Sequence, residues 1–139
     1  MCGSMDLNVA KTPFEIKESL SKHFPEYFIL NNPIDLTGSS GDEDFGTVLE
    51  TAFVDNDYFD AAIVIPLMPP QTMTERVVDI ISQAAVKSEK PVVICTISGE
   101  YTNKTKELFE LKGIPVFPSP GRAVKAMSVL VDRGRMYGT

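Results

Sequence analysis

At 139 residues the chain has the length of one domain, and its 43% apolar and 23% charged content is that of a folded globule rather than a disordered segment. Thirteen Lys and Arg against nineteen Asp and Glu give a formal charge of −6. That excludes a nucleic-acid or anionic-membrane binder built on a basic face, but not a single phosphate site lined by backbone N–H groups. Cys2 and Cys95 fit no metal or redox spacing, and Cys95 lies in an apolar run as a buried, reduced thiol would. Met1 to Ala10 carry no signal pattern and no apolar run is long enough to cross a bilayer, so a cytoplasmic domain is expected.

Residues 1–12 lack periodicity and read as a flexible lead-in to a domain over 13–139, with Asp6 to Ala10 a candidate short strand. Pro13 opens an amphipathic helix whose apolar face carries Phe14, Ile16, Leu20 and Phe24, and Pro25 stops it. His23, the only histidine, falls in the last turn, where an imidazolium suits the helix dipole and no neighbour completes a nucleophile or ligand set. Alternation from Phe28 leads through Asn31-Asn32-Pro33 into Ile34-Asp35-Leu36, a short strand or extended segment. It ends in Thr37-Gly38-Ser39-Ser40-Gly41, and Asp42-Glu43-Asp44 start a second helix with acidic residues at its positive end. Phe45, Val48, Leu49 and Phe53 form the buried stripe of that helix.

Phe59 to Ile65 is a near-continuous apolar run of strand length, the signature of a central parallel strand covered on both faces. Pro66 to Gln71 makes the following loop. Thr72-Met73-Thr74-Glu75 then reads as a capping box, with Thr72 as N-cap and Glu75 returning to its backbone N–H, and the helix continues through Val77, Val78, Ile81, Ala84 and Ala85. The cycle repeats: Pro91 to Ile97 is a strand, Ser98-Gly99-Glu100 its exit loop, and a helix from Thr102 to Lys112 buries Leu108, Phe109 and Leu111 before Gly113 stops it. Ile114 to Phe117 is a last strand, placed at an edge because Pro115 cannot donate to a ladder. Ser119 and Pro120 begin a final helix through Ala123, Val124, Met127 and Leu130.

Strands alternating with helices imply an α/β sandwich with a mainly parallel sheet of four to five strands. Right-handed crossovers put every strand-to-helix loop at one edge of that sheet, where ligands of such folds bind. Three loops therefore converge: Thr37 to Gly41, Leu67 to Gln71, and Ser98 to Tyr101. In the first, small residues let the backbone approach an anion and hydroxyls can donate to it, yet the acidic trio behind it works against an anion, and a plain turn fits the same residues. The prolines of the second loop fix its backbone and could either pre-organise the next helix's amide end or serve as rigid structure. Asp35 and Glu100 sit at strand ends and could face each other across the cleft; a buried Asp35 fixing its own loop is the alternative. No triad, zinc set, metal-ligand set or carboxylate pair is evident.

Asn32-Pro33-Ile34-Asp35-Leu36-Thr37-Gly38 resembles the NPVDLTG signature of NDP-forming acyl-CoA synthetases, the group that includes ADP-forming acetyl-CoA synthetase. The resemblance continues in register through Phe59 to Ile65, Lys90 to Val93, Gly99-Glu100 and Gly113 to Val124, and spans about residues 13–133. It implies the second flavodoxin-like domain of the CoA-ligase part, similar to the C-terminal domain of the succinyl-CoA synthetase β subunit: a three-layer sandwich. The family couples acyl-CoA cleavage to ATP formation through an acyl phosphate and a phosphorylated histidine, so CoA, ATP or ADP and Mg2+ are implied for the full enzyme and none for this domain alone. The implied partners are a Rossmann-like CoA-binding domain, a flavodoxin-like domain bearing the phosphohistidine, and an ATP-grasp domain.

By the same resemblance this domain frames the phosphohistidine with helix ends and is inactive by itself. Asp35, Thr37, Gly38, Ser39 and Ser40 are the candidates for the phosphate-facing loop, with Pro69, Pro70, Gln71 and Thr72 as the second helix end; oriented amides suit a dianionic phosphoryl group. His23 lies outside the family's phosphohistidine motif and inherits no role. The family domain begins with a strand, a glycine-rich loop and a helix that have no equivalent upstream of Pro13 here. A homodimer covering the exposed edge, or an adjusted sheet, is therefore expected. Other readings are a non-catalytic regulatory module of the kind fused to acetyltransferases, and a phosphate-accepting receiver domain, which lacks its Lys and acidic cluster here.

Overall fold

The computed structural model describes residues 7–26, 28–36, 41–66, 74–96 and 100–136, with backbone alone at 100–102 and 135–136. Within them, three short strands, β1 (Ala62–Val64), β2 (Val92–Cys95) and β3 (Val116–Phe117), form one parallel sheet in the order β1-β2-β3. The register pairs Ile63 with Val93 and Ile94 with Val116. Proline opens two of these strands without breaking the ladder, because its carbonyl still accepts: Ala62 N–H donates to Pro91 C=O at 3.0 Å and Ile94 N–H to Pro115 C=O at 2.9 Å. The expected edge position of the Pro115 strand holds.

Alternation along the strands sorts the core into two layers. Val92, Ile94, Val64 and Val116 face one side and pack with Leu49, Phe53, Val77, Ile81 and Phe109. That side is covered by α2 (Asp42–Leu49), which runs on as a π-helical segment (Glu50–Val54), and by the crossover helices α3 (Arg76–Ser88) and α4 (Glu100–Leu111). Val93 and Cys95 face the other side and pack with Ala123 and Met127 of α5 (Pro120–Met136), with Leu7 and Ile63 beside them. A smaller cluster of Ile16, Leu20 and Ala52 seats α1 (Phe14–Ser21) on the π-helical segment. Helices thus flank both faces of a parallel sheet, the three-layer arrangement of the flavodoxin-like class.

Several details correct the expectations. Among the described residues the sheet has three strands, not four or five. Ile34 to Leu36 contributes one antiparallel bridge, in which Asp35 N–H donates to Ile29 C=O at 2.8 Å and Ile29 N–H returns to Asp35 C=O at 3.0 Å. Leu7 to Ala10 forms no strand, although Ala10 C=O accepts from Asn32 Nδ2 at 2.9 Å and Thr12 N–H donates to Asn31 Oδ1 at 3.2 Å. The run Phe59 to Ile65 yields a strand only over Ala62–Val64, because Phe59 is drawn into the helical clusters and Ile65 is exposed. Phe14 and Leu111 are 76% and 82% exposed rather than core residues. Helical periodicity marks a face, but α1 and α4 each turn an adjoining face inward, through Ile16 with Leu20 and through Phe109.

The helix ends follow local chemistry. Pro13 is the N-cap of α1, and His23 lies exposed just past the C-cap Lys22, with its N–H on Leu20 C=O at 3.0 Å. Gly113 has φ +81°, a conformation that glycine supplies without a Cβ penalty, and its N–H closes on Glu110 C=O at 3.0 Å. At α3 the left-handed end position falls instead on Glu89, φ 57°, whose N–H donates to Ala85 C=O.

Candidate functional site

Both α2 and α3 begin at the edge of the sheet where the strand-to-helix loops lie. Gly46 brings these helices close: a Cβ there would stand 3.0 Å from Ile80 Cγ2. At their N-terminal ends they are joined directly. Thr74 N–H donates to Asp42 Oδ1 at 2.7 Å, and the Thr74 hydroxyl donates to Asp42 Oδ2. Asp42 is only 7% exposed, so a buried carboxylate is satisfied by two donors from the end of the neighbouring loop. Arg76 N–H donates to Thr74 Oγ1 at 3.2 Å, so the Thr74 hydroxyl also serves the first amide of α3, whose N-cap position is Glu75.

This corrects the capping box. Thr72 lies outside the described residues, and α3 starts at Arg76 with Glu75 as its flanking residue, so Glu75 does not occupy the position of a returning glutamate. Its carboxylate pairs instead with Lys104 Nζ of α4 at 3.0 Å. Asp42, by taking both donors of Thr74, fixes the chain just ahead of the Glu75 N-cap, three residues later than the sequence pattern implies.

The acidic trio has a different character from the one its charge implies. Asp42 is engaged by Thr74, Glu43 pairs with Arg76 Nη2 at 2.6 Å, and Asp44 Oδ2 accepts the Gly41 N–H at 2.8 Å. Each carboxylate therefore has a donor or a cation of its own. The first amides of α2, those of Asp42 and Glu43, have no acceptor within the helix. An ion pair, Glu75–Lys104, extends the tie to the first part of α4, so three helix starts share one rim, while Asp79 pairs at 3.5 Å with Lys112 just past the other end of α4.

Of the residues proposed for phosphate contact, Thr37, Gly38, Ser39, Ser40, Pro69, Pro70, Gln71 and Thr72 lie outside the described residues, as do Ser98 and Gly99 of the third loop. Asp35 is described and is exposed, held through its backbone to Ile29. The alternative had Asp35 buried, and the structure leaves it exposed. The Glu100 side chain is outside the described set, so its relation to Asp35 is not defined. What the structure does bring together is the downstream ends of the first two loops, at Asp42 and Thr74. Neither residue is among the sequence candidates: Asp42 reads as a helix-dipole residue and Thr74 as the interior of a capping box.

A groove of about 300 Å³ lies between α1 and the π-helical segment, lined by Pro13, Ile16, Ser19, Thr51, Asn56 and Tyr58 among others, and it includes no rim residue. Among the described residues no group of three or more His, Cys, Asp or Glu side chains is placed to hold a metal ion, and no helix is long and apolar enough to cross a membrane.

A parallel sheet with helices on both faces and three helix starts on one rim defines a flavodoxin-like α/β domain. No protein-family model matches the sequence. The chain is nonetheless homologous to ADP-forming acetate–CoA ligases over most of its length. It is 29% identical over 135 residues to the alpha subunit of ADP-forming acetate–CoA ligase II of Pyrococcus furiosus, covering 95% of this chain and 30% of that one. It is 26% identical over 113 residues to the alpha subunit of ligase I of the same organism, covering 79% of this chain and 24% of that one. Among solved structures, the protein PH0766 of Pyrococcus horikoshii superposes with a TM-score of 0.88 at 25% identity, over 99% of this chain and 32% of that one. The dinucleotide-forming acetyl-coenzyme A synthetase 1 of Ca. Korarchaeum cryptofilum, in complex with phosphate and ADP, gives 0.83 at 25% identity, over 97% of this chain and 30% of that one. The chain thus spans about a third or less of these relatives' length.

Proposed function

We propose that residues 13–139 form a domain of a cytoplasmic ADP-forming acyl-CoA synthetase of the acetate–CoA ligase type, that its rim helps to frame a phosphate or phosphohistidine site, and that it is inactive alone. The reading takes Thr37, Gly38, Ser39 and Ser40, with Asp35 at their start, as one wall. Pro69, Pro70, Gln71 and Thr72 form the other. The observation that carries it is the Asp42–Thr74 link, since residues directly following both candidate loops are bonded to each other. Oriented amides at two adjacent helix starts are a chemically apt cradle for a phosphoryl group, which needs several donors and little side-chain charge. Within the acidic trio Arg76 offsets the charge of Glu43, while Asp42 and Asp44 are held by neutral donors and keep theirs.

CoA, ATP or ADP and Mg2+ belong, in this reading, to the complete enzyme and its other domains: CoA-binding, phosphohistidine-bearing and ATP-grasp. The homologous alpha subunits support that division, because this chain accounts for less than a third of each. The test is titration of the 139-residue chain with inorganic phosphate, followed by amide NMR. Saturable shifts at Gly38, Ser39, Ser40, Gln71 and Thr72 are expected. Shifts confined to other parts of the molecule, or none, reject the site. The same chain should neither form acyl-CoA nor consume it, and turnover by it alone contradicts the domain assignment.

A further inference from the structure

We propose that residues 7–12 are a lightly held strap that closes the open side of β1 and keeps a second copy of the chain from pairing there. Among the described residues β1 ends the sheet on its side, with β2 as its only strand partner. Ala62 N–H donates toward β2, to Pro91 C=O, and backbone groups alternate in direction along a strand, so the N–H and C=O of Ile63 face away from β2. An edge of this kind bearing an apolar residue is a template for another strand. Leu7, half-buried, packs on the α5 layer in the same cluster as Ala61 and Ile63. Five residues on, Thr12 is 4% exposed and leads into α1, which sits on the π-helical segment in the cluster that holds Phe59. These clusters belong to opposite faces of the sheet, so the segment between them crosses from one face to the other. It does so past β1, because Phe59 and Ala61 directly precede that strand, whereas β3 on the far side is in contact with α4.

Two side chains seat the strap. Asn32 Nδ2 donates to Ala10 C=O at 2.9 Å, and Asn31 Oδ1 accepts from Thr12 N–H at 3.2 Å. Both bonds go to backbone, so they fix the course of the segment rather than one side chain. Against them stands Thr12 Oγ1, which is buried and has no hydrogen-bond partner among the described residues. Such a hydroxyl gives up water when the strap is seated and regains it when the strap lifts. The strap is thus held by two hydrogen bonds and one leucine and opposed by one stranded hydroxyl, and it opens ahead of the rest of the fold. Of the two arrangements expected for the exposed edge, a homodimer or an adjusted sheet, the closed strap favours the second.

Trypsin reads the strap, since Lys11 is exposed and its bond to Thr12 lies within the segment, and sedimentation velocity reads association. The full wild-type chain is expected to sediment as a monomer and to be cut slowly after Lys11. Asn31→Ala with Asn32→Ala removes both ties and should speed the cut about tenfold, the equivalent of one good hydrogen bond. It should also form a concentration-dependent dimer in which hydrogen exchange at Ile63 N–H is slowed. Leu7→Asp lifts the other end of the strap without touching the Asn32 loop and should behave alike. A thermal melt establishes that each variant is folded, and Leu7→Asp carries the test if the double variant is not. Thr12→Val, which removes the stranded hydroxyl at equal size, should slow the cut. A wild-type dimer with Lys11 protected would overturn the proposal, as would variants that are cut faster yet stay monomeric or dimerise without protection at Ile63. Wild-type cutting in both releasing variants, or no slowing in Thr12→Val, would overturn the light seating of the strap.

Discussion

The helical run from Asp42 to Val54 is fastened differently at its two ends. At the rim an anion, Asp42, receives the N–H and hydroxyl of Thr74. At the foot a cation, Lys90, donates to Phe53 C=O at 2.8 Å and Asn56 C=O at 2.7 Å, with its ammonium 4.8 Å from the Phe53 ring centroid. Each charge suits its place, since a helix presents donors and a positive dipole end at its start and carbonyls and a negative end at its finish. The difference is in what each one joins. Lys90 consumes the helix-end carbonyls it meets, so the foot is closed structure. Asp42 ties a neighbouring loop from the first residue of its own helix, so the rim is organised by a link between two elements rather than closed by a clamp on helix carbonyls. The two fastenings thus predict different consequences when cut.

Cutting the foot should have the largest effect on stability. The Lys90 side chain is 15% exposed and makes two hydrogen bonds from a charged donor. Lys90→Met is therefore expected to destabilise the fold by about 3 kcal/mol, read as a lower midpoint in urea at unchanged slope. A loss under about 0.5 kcal/mol would mean that the bonds are replaced by water. Asp42→Ala comes next, at about 1 kcal/mol, because it removes two hydrogen bonds to Thr74, an exposed residue whose donors water can then serve. Equal or greater destabilisation there than at Lys90 would reverse the ranking of the two ends.

A smaller effect belongs to neither end. Burial pushes the Cys95 thiol above its ordinary value of 9.0, because the thiolate is disfavoured among Val93, Ala123 and Met127. Above that value the unfolded chain releases the proton that the folded chain retains, so stability should fall as pH rises past it, and below it Cys95 adds no slope. Cys95→Ala should flatten this part of the stability–pH curve; an unchanged slope would assign it to other groups. The smallest effect is expected at Arg76→Ala, which removes an exposed pair and should change stability by less than about 0.5 kcal/mol. A larger loss would make that pair a second tie between α2 and α3.

The layers and the edge strand could be read from the sequence because they depend on local patterns: the continuous apolar run Val92 to Cys95, proline at Pro115, glycine at Gly113. The ends of elements were less readable wherever a tertiary partner decided them. Helix α3 starts at Arg76, later than the expected capping box, where Asp42, distant in sequence, holds Thr74. Lys90 gives no sequence sign of being a buried clamp, since lysine is ordinarily a surface residue and its carbonyl partners come from another element. Phe14 and Leu111 carry the right period, but period does not say which flank of a helix its neighbours cover. The same reasoning explains the site. The loop composition pointed to the rim, whereas the residue that joins its two walls became visible only when α2 and α3 were placed side by side.

The most direct test sets the two ends against each other in one ligand titration. Inorganic phosphate added to the wild-type chain and to folded Lys90→Met should give the same saturable rim shifts in both, although the second is the less stable protein. No rim shifts in the wild type, or weaker binding in Lys90→Met, would contradict the view that the rim serves a ligand while the foot tie serves the fold.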